Sequence, residues 1–230
     1  MKFFQLFFVI STISFNTFSQ CNYPKLPQKG NNIEAFIPQG WKIMDSVSGD
    51  FNNDRQIDVV VVLVSEMEST DDQASFECNR PLLILQKTPT GFLMSSYAKE
   101  AVLCKGCGGV FGDPYNGISL KNNVLNISHY GGSAWRWSSN FTFRFQKNQW
   151  QLIGCSQSSY WSIGECDGGP GDAGFNLSEA NFSTSKAHIV KTKEDACKPY
   201  IDKMVSFPKK TLVSLQGFSA TTDYFPIKNY

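Results

Sequence analysis

The hydrophobic residues of this chain fall into short runs separated by turn-forming residues, a pattern that predicts β-strands rather than helices. Residues 59–64 read VVVVLV, a continuous run that is typical of a strand buried on both faces. Residues 81–87 and 92–97 are two further strand-like runs, and the turn-forming sequence TPTG lies between them. This part of the chain therefore predicts three strands, of which the first is fully buried.

The sequence ISLKNNVLNI at residues 118–127 predicts a β-hairpin. Asn122 and Asn123 tolerate the positive φ that a two-residue hairpin turn requires. Since alternate residues of a strand share a face, this register predicts one apolar face, made of Ile118, Leu120, Leu125 and Ile127.

Aromatic side chains fall at alternate positions between residues 135 and 145, with polar side chains between them. This alternation predicts a strand with one aromatic face and one polar face. The aromatic positions are Trp135, Trp137, Phe141, Phe143 and Phe145. We expect them to pack in the core, and we expect residues 150–154 to form the return strand.

The rest of the chain continues the same pattern. Residues 187–192 and 212–215 are strand-like runs, and the Gly- and Asp-rich segment 167–174 predicts a loop. We therefore predict an all-β fold in which antiparallel hairpins form a meander, arranged like a propeller blade or like a sandwich. A length of 230 residues favours one domain, which we place at residues 33–230.

The composition is that of a folded protein without a strong charge. The formal net charge of +1 provides no electrostatic attraction for nucleic acid or for an anionic membrane surface. We therefore predict no nucleic-acid partner.

The N-terminus has the features of an export signal. Lys2 precedes an apolar stretch rich in Phe and Ile, and Thr17 and Ser19 are small residues suited to cleavage before Gln20. We assign residues 1–19 to a signal peptide and residues 20–32, rich in Pro, Gln and Asn, to a flexible lead-in. No later stretch approaches about 18 uninterrupted apolar residues, so the mature chain is predicted to be secreted or periplasmic, with no transmembrane segment.

Seven cysteines in an exported chain indicate disulfide bonds. The candidates are Cys78, Cys104, Cys107, Cys155, Cys166 and Cys197. Cys155 and Cys166 flank a short segment and are predicted to pair. Because the number is odd, one thiol stays unpaired, or Cys21 carries a lipid that anchors the protein in the cell envelope. For the Cys104-x-x-Cys107 motif, a structural disulfide is favoured over a redox pair or a zinc site, since its glycines disfavour a helix.

Oxygen-bearing side chains crowd the entrance to the buried strand. They occupy every second position and are Asp50, Asn52, Asp54, Gln56 and Asp58. A hard cation such as Ca²⁺ takes about six to eight oxygen ligands, and Gln56 would contribute its backbone carbonyl. An EF-hand would also need a Glu where Val61 stands, so this is a different type of loop.

The loop GDFNNDRQID, residues 49–58, resembles the FG-GAP and VCBS-type repeats, whose Asp-rich loop binds Ca²⁺ between strands of a propeller blade. It matches at every ligand position and departs at Arg55, where those repeats prefer a glycine in the left-handed conformation. The resemblance covers about residues 41–97, in a single copy. It implies one Ca²⁺ ion that stabilises the turn, and the alternative is an Asx-rich turn without metal. Residues 104–137 resemble a group of uncharacterised exported bacterial proteins, which implies no activity.

No catalytic residue is assigned from the sequence. His129 shares the predicted apolar hairpin face, which favours a structural role. Tyr160 and Trp161, expected in a loop between Cys155 and Cys166, are candidates for an exposed binding site, because exposed aromatic rings stack on sugars or peptides.

We therefore predict an exported calcium-loop β protein that binds an extracytoplasmic protein or a carbohydrate. The alternative is an extracytoplasmic hydrolase with acid and base groups in loops near Asp113, His129 and Asp167.

Overall fold

The computed structural model describes residues 21–70, 78–166, 169–170 and 173–228. Within these residues the chain forms two large antiparallel sheets, of five and seven strands, and a small sheet of two strands. The large sheets pack face to face around a common hydrophobic core. The predicted all-β fold is confirmed and is sandwich-like, and the predicted signal peptide, residues 1–19, lies outside the described residues.

The five-stranded sheet comes from the N-terminal half of the chain. Its strands are β1 (Lys29–Gly30), β2 (Trp41–Gly49), β3 (Asp58–Ser65), β4 (Arg80–Thr88) and β5 (Gly91–Val102). They lie in the order β1-β5-β4-β3-β2. A 3-10 helix, Glu34–Phe36, precedes β2, and the short helix α1 (Glu66–Thr70) follows β3.

The seven-stranded sheet comes from the C-terminal half. The remaining strands are, in chain order, β6 (Tyr115–Lys121), β7 (Val124–Gly132), β8 (Trp135–Gln146), β9 (Gln149–Trp161), β10 (Glu165–Cys166), β11 (Gly169–Pro170), β12 (Ala173–Asn181), β13 (Lys186–Lys191) and β14 (Ile201–Ser206). The sheet order is β14-β13-β12-β9-β8-β7-β6, while β10 and β11 pair with each other. Two more 3-10 helices span Lys105–Phe111 and Leu215–Gly217.

Strand β3 is buried on both faces, as its continuous apolar run predicts. Val60 and Val62 point into the common core between the sheets. Val61 and Leu63 point to the opposite face, where they form a second apolar cluster with Phe36 of the N-terminal 3-10 helix. Because both faces of β3 contact apolar residues, its sequence is continuously apolar and does not alternate between apolar and polar residues.

The segment before Phe36 lies along this covered face. β1 pairs with β5, the Tyr97 hydroxyl donates to the carbonyl of Pro24 at 3.0 Å, and the Tyr23 hydroxyl donates to the carbonyl of Asn79 at 3.0 Å. The segment predicted as a flexible lead-in, residues 20–32, thus makes defined contacts with the sheet from residue 21 onward.

The predicted hairpin at residues 118–127 is confirmed. Strands β6 and β7 pair with Ile118 opposite Ile127 and Leu120 opposite Leu125, and Asn122 in the turn has a φ of 53°. Leu125 and Ile127 are fully buried, so the face chosen by the turn and the hydrophobic pattern is the core face.

The predicted aromatic strand is also confirmed, as β8. Phe141 and Phe143 are buried, and the return strand β9 adds Trp150 and Leu152 to the core. β9 is longer than predicted and continues to Trp161.

The prediction of a strand at residues 212–215 is wrong. This segment makes one isolated bridge, between Ser214 and Gln151, and leads into the last 3-10 helix. Val213 and Leu215 pack on the common core, so their apolar character reflects burial rather than strand pairing.

The predicted loop at residues 167–174 is only partly described. Residues 169–170 form β11 and β12 begins at Ala173, while residues 167–168 and 171–172, including Asp167, lie outside the described residues.

The disulfide bonds correct two expectations. The pairs are Cys21–Cys78, Cys104–Cys107 and Cys166–Cys197. The predicted Cys155–Cys166 pair is wrong, because β9 carries Cys155 into the core, where it is buried and unpaired. The unpaired cysteine is therefore Cys155 and not Cys21. The sulfur of Cys21 is bonded to Cys78, which leaves no thiol there for a lipid anchor. The structural disulfide predicted for the Cys104-x-x-Cys107 motif is confirmed.

Candidate ligand-binding cleft

The inner face of the seven-stranded sheet is apolar over its central part. Phe141 of β8 lies opposite Ile127 of β7 and Cys155 of β9, and Cys155 lies opposite Ala180 of β12. All four side chains belong to the common core. Beyond this apolar row, toward Trp135 of β8, the side chains on the inner face become polar.

The next two cross-strand rows on the same face are polar. The first polar row consists of Ser139, Gln157 and Ser178, and the second polar row consists of Trp137, Ser159 and Asn176. Because alternate residues of a strand point to one face, both rows share the inner face with Phe141. A sandwich whose inner face stays apolar would place hydrophobic residues here.

The two polar rows line an open cleft of about 430 Å³, to which Leu103, Ala220 and Lys191 of β13 also contribute. This volume falls within the range of about 300–1,000 Å³ that is usual for ligand sites. Trp137 lies at the border between cleft and core. Its indole lies against Gly131, where a Cβ atom would come within 2.7 Å of the ring, so the glycine makes room for the indole.

The polar groups of the cleft differ from those on the outer face of the same sheet. Outside, they bond to one another: Ser128 to Asn140 at 2.7 Å and Thr142 to Asn126 at 2.8 Å. The side chains of Gln157, Ser159 and Ser178 have no hydrogen-bond partner in the part of the chain that the structure describes. The cleft therefore presents donors and acceptors that a ligand can use.

His129 is buried next to the cleft and contacts two residues that line it, Leu103 and Ser139. The Leu103 amide donates to Nε2 of His129 at 3.2 Å, so Nδ1 carries the proton and faces the Ser139 hydroxyl at 3.4 Å. The side chain is 1% exposed. Burial, with the positive charge of Arg80, lowers the pKa of His129 to about 4. These contacts are those of a neutral structural histidine, and they offer no exposed nitrogen to a substrate.

Arg80 of β4 forms an ion network with Glu68, which is buried, and with Asp113, which is 40% exposed and lies just before β6 of the other sheet. Its guanidinium donates to the Glu68 carboxylate and makes two bonds to Asp113, at 2.8 and 2.7 Å. The pKa of Arg80 is raised: burial lowers it, but the bonds to Asp113 and Glu68 outweigh that effect. Asp113 also accepts a bond from the Tyr115 amide at 3.0 Å, which makes it part of this network.

The Asp-rich loop joins β2 to β3 and is closed by its own backbone amides. Asp50 accepts bonds from the amides of Asp54 and Arg55, at 3.2 and 2.8 Å. Asn52 and Asp54 accept bonds from the amides of Asp54 and Gln56, at 3.0 and 2.8 Å. Arg55 has a φ of 67°, so the left-handed conformation expected at this position is confirmed.

Asp58 anchors the end of this loop inside the protein. Its carboxylate accepts bonds from the amides of Phe51 and Lys87, at 3.2 and 2.8 Å, and burial raises its pKa. The loop oxygens have the chemistry that Ca²⁺ prefers. Across the described ranges, however, no three carboxylate, imidazole or thiol groups are gathered closely enough to hold a metal ion.

Tyr160 and Trp161 lie at the end of β9, not in a loop as the sequence suggested. As consecutive strand residues they point to opposite faces. The Tyr160 hydroxyl bonds to that of Tyr130 at 3.0 Å, while Trp161 packs on Trp135 with ring centroids 5.4 Å apart. They do not form one surface.

The residues of the cleft were largely missed by the sequence analysis. Ser139 is a polar residue at an inward position of an otherwise aromatic face, and this break in the alternation is a signal that could have been used. Gln157, Ser159, Ser178 and Lys191 carry no such local signal, because their common face is defined only by pairing between strands.

No protein-family model, curated protein or solved structure matches this chain. Among the described residues, no helix is long and apolar enough to cross a membrane. The fold and the cleft together define a disulfide-bonded β-sandwich with a polar cleft beside its core.

Proposed function

We propose that this chain is an exported binding protein that holds a saccharide in the cleft on the inner face of the seven-stranded sheet, without catalysing a reaction. The observation that carries the proposal is the pair of polar rows on the inner face, in which the side chains of Gln157, Ser159 and Ser178 have no hydrogen-bond partner among the described residues. Three disulfides support an oxidising, extracytoplasmic compartment.

The chemistry of the cleft favours a ligand with many hydroxyl groups. Serine hydroxyls and the Gln157 amide both donate and accept hydrogen bonds, which suits sugar hydroxyls. Trp137 adds an indole beside them, and an aromatic ring provides an apolar surface with a polar edge. The proposal includes no acid or base, because the nearest histidine, His129, is occupied by structural hydrogen bonds.

Binding is tested with a panel of neutral and acidic oligosaccharides, by calorimetry on the mature protein. We expect at least one member to bind, and Gln157→Leu to weaken that binding by about threefold to tenfold, the usual effect of one hydrogen bond. Gln149→Leu makes the same change on the same strand outside the cleft and should leave the affinity unchanged. An affinity that is unchanged by Gln157→Leu, or that is lowered equally by both variants, would contradict the assignment of the cleft.

The calcium loop is part of the proposal as a structural element that clamps the turn between β2 and β3. An ion that binds only the folded state stabilises it by about 2.7 kcal/mol at a hundredfold excess over its Kd. We therefore expect thermal melts to shift upward with added Ca²⁺ and back with EDTA.

Asp54→Ala should remove most of this Ca²⁺-dependent shift, whereas Asp195→Ala, at an exposed position outside the loop, should keep it. A melting temperature of the unmodified protein that responds to neither Ca²⁺ nor EDTA would reduce the loop to an Asx-rich turn.

A further inference from the structure

We infer that the saccharide bound in the cleft is acidic, and that its carboxylate pairs with Lys191. This inference rests on the proposed function and specifies its ligand. Lys191 is the only charged residue among the described residues that line the cleft. Its ammonium group has no ion pair or hydrogen bond to any other described residue.

The position of Lys191 is fixed by its backbone. It is the last residue of β13 and pairs with Ile201 of β14, and its carbonyl accepts a bond from the Tyr200 amide at 2.9 Å. The next amide, of Thr192, donates to the side chain of Asn176 at 3.4 Å. The base of the lysine side chain is thus held beside the second polar row.

The side chain of Asn176 connects the start of β12 to the residue that follows β13. Its Nδ2 atom donates to the carbonyl of Gly174 at 2.7 Å, and its Oδ1 accepts the Thr192 bond. The ligand therefore meets the neutral groups of Gln157, Ser159 and Ser178 along the cleft floor and the cation of Lys191. Hydroxyl groups beside a carboxylate are the features of a uronic acid.

A peptide with an acidic side chain fits this site less well. A peptide commonly binds a sheet by adding a strand at its edge, where backbone groups are unpaired. The cleft lies on the face of the sheet, where β9 pairs with β8 on one side and with β12 on the other, so that only side chains are presented. Those side chains are a mixture of hydroxyls and amides with the indole of Trp137, and they do not form the series of pockets for alternate side chains by which such a strand is recognised.

The test uses calorimetry with oligomers of galacturonate, mannuronate and guluronate, and with the methyl esters of the same oligomers, which keep the hydroxyl groups and lose the charge. We expect an acidic oligomer to bind about tenfold or more tightly than its ester, as for hydrogen bonds to a charged group. Added salt should reduce this difference.

Lys191→Gln should lower the affinity for the acidic oligomer by about the same factor and leave the affinity for the ester unchanged. Lys186→Gln, on the same strand but at an exposed position outside the cleft, is the matched control and should have no effect. Far-ultraviolet circular dichroism of both variants checks that they fold.

The outcomes separate the two levels of the proposal. Equal binding of acid and ester, or of neutral sugars alone, overturns the acidic ligand and leaves saccharide binding in place. No binding of any saccharide overturns both. Oligoglutamate that binds as tightly as the acidic oligosaccharides, and is equally weakened by Lys191→Gln, shows a site for acidic peptides and also overturns the inference.

Discussion

Arg80→Met is expected to lower the free energy of unfolding by about 3–5 kcal/mol, because it leaves the buried carboxylate of Glu68 without its positive partner. Both side chains of this pair are almost inaccessible, at 3% and 4% exposure. The unpaired carboxylate then has to stay charged in a poor solvent or take up a proton, and either choice costs stability. Urea denaturation at neutral pH measures the loss.

Two further variants make this result specific. Arg144→Met applies the same change on the polar outer face of β8 and should cost less than about 1 kcal/mol, as for other surface substitutions. Glu68→Leu combined with Arg80→Met should recover part of the loss, since a buried ion pair is often replaceable by apolar residues. A loss from Arg80→Met no larger than that from Arg144→Met would show that the network does not hold the sheets together.

Removing the Cys21–Cys78 disulfide, by replacing both residues with serine, is expected to cost about 4 kcal/mol. The bond closes a sequence separation of 57 residues, and the entropy that a disulfide removes from the unfolded chain grows with the length of the loop. The bond also fixes the N-terminal segment near the start of β4, where Tyr23 contacts Asn79.

The Cys104–Cys107 bond is the internal comparison, since it spans a separation of only 3 residues. Its replacement by serines should cost about 1–2 kcal/mol by the same chain-entropy argument. Denaturation of the two double variants under non-reducing conditions gives the ranking. A larger loss for the Cys104–Cys107 variant would mean that local packing, rather than loop length, determines the contribution of these bonds.

The buried network and the proposed ligand site are connected through Leu103. Arg80 donates to the carbonyl of Leu103 at 3.4 Å, and the amide of Leu103 donates to His129 at 3.2 Å. His129 in turn faces Ser139 in the first polar row. Leu103 and Ser139, which both line the cleft, are therefore connected by hydrogen bonds through His129 to the Arg80 network.

Several local features could be predicted from the sequence because they depend on residues close together in the chain. The apolar run of β3, the hairpin around Asn122 and the alternation in β8 each follow from a side-chain period or a turn preference. The left-handed conformation of Arg55 is what the resemblance of the Asp-rich loop to the FG-GAP and VCBS-type repeats implies. In the site itself, Trp137 was recognised as part of the aromatic face but was assigned only to the core.

Which cysteines bond to each other, and which strand residues become neighbours across the sheet, is determined only by the tertiary structure. The short segment between Cys155 and Cys166 predicts a bond between them, yet Cys155 lies unpaired in the core and Cys166 is bonded to Cys197, 31 residues further along the chain. The cleft as a whole does not follow from the sequence. Ser139 alone interrupts a local pattern, whereas Ser139, Gln157 and Ser178 come from three strands and become neighbours only through the register of the sheet. Periodicity shows that a strand has two faces, but which part of a face the opposite sheet covers depends on contacts between residues far apart in the chain. Local sequence preferences do not specify those contacts.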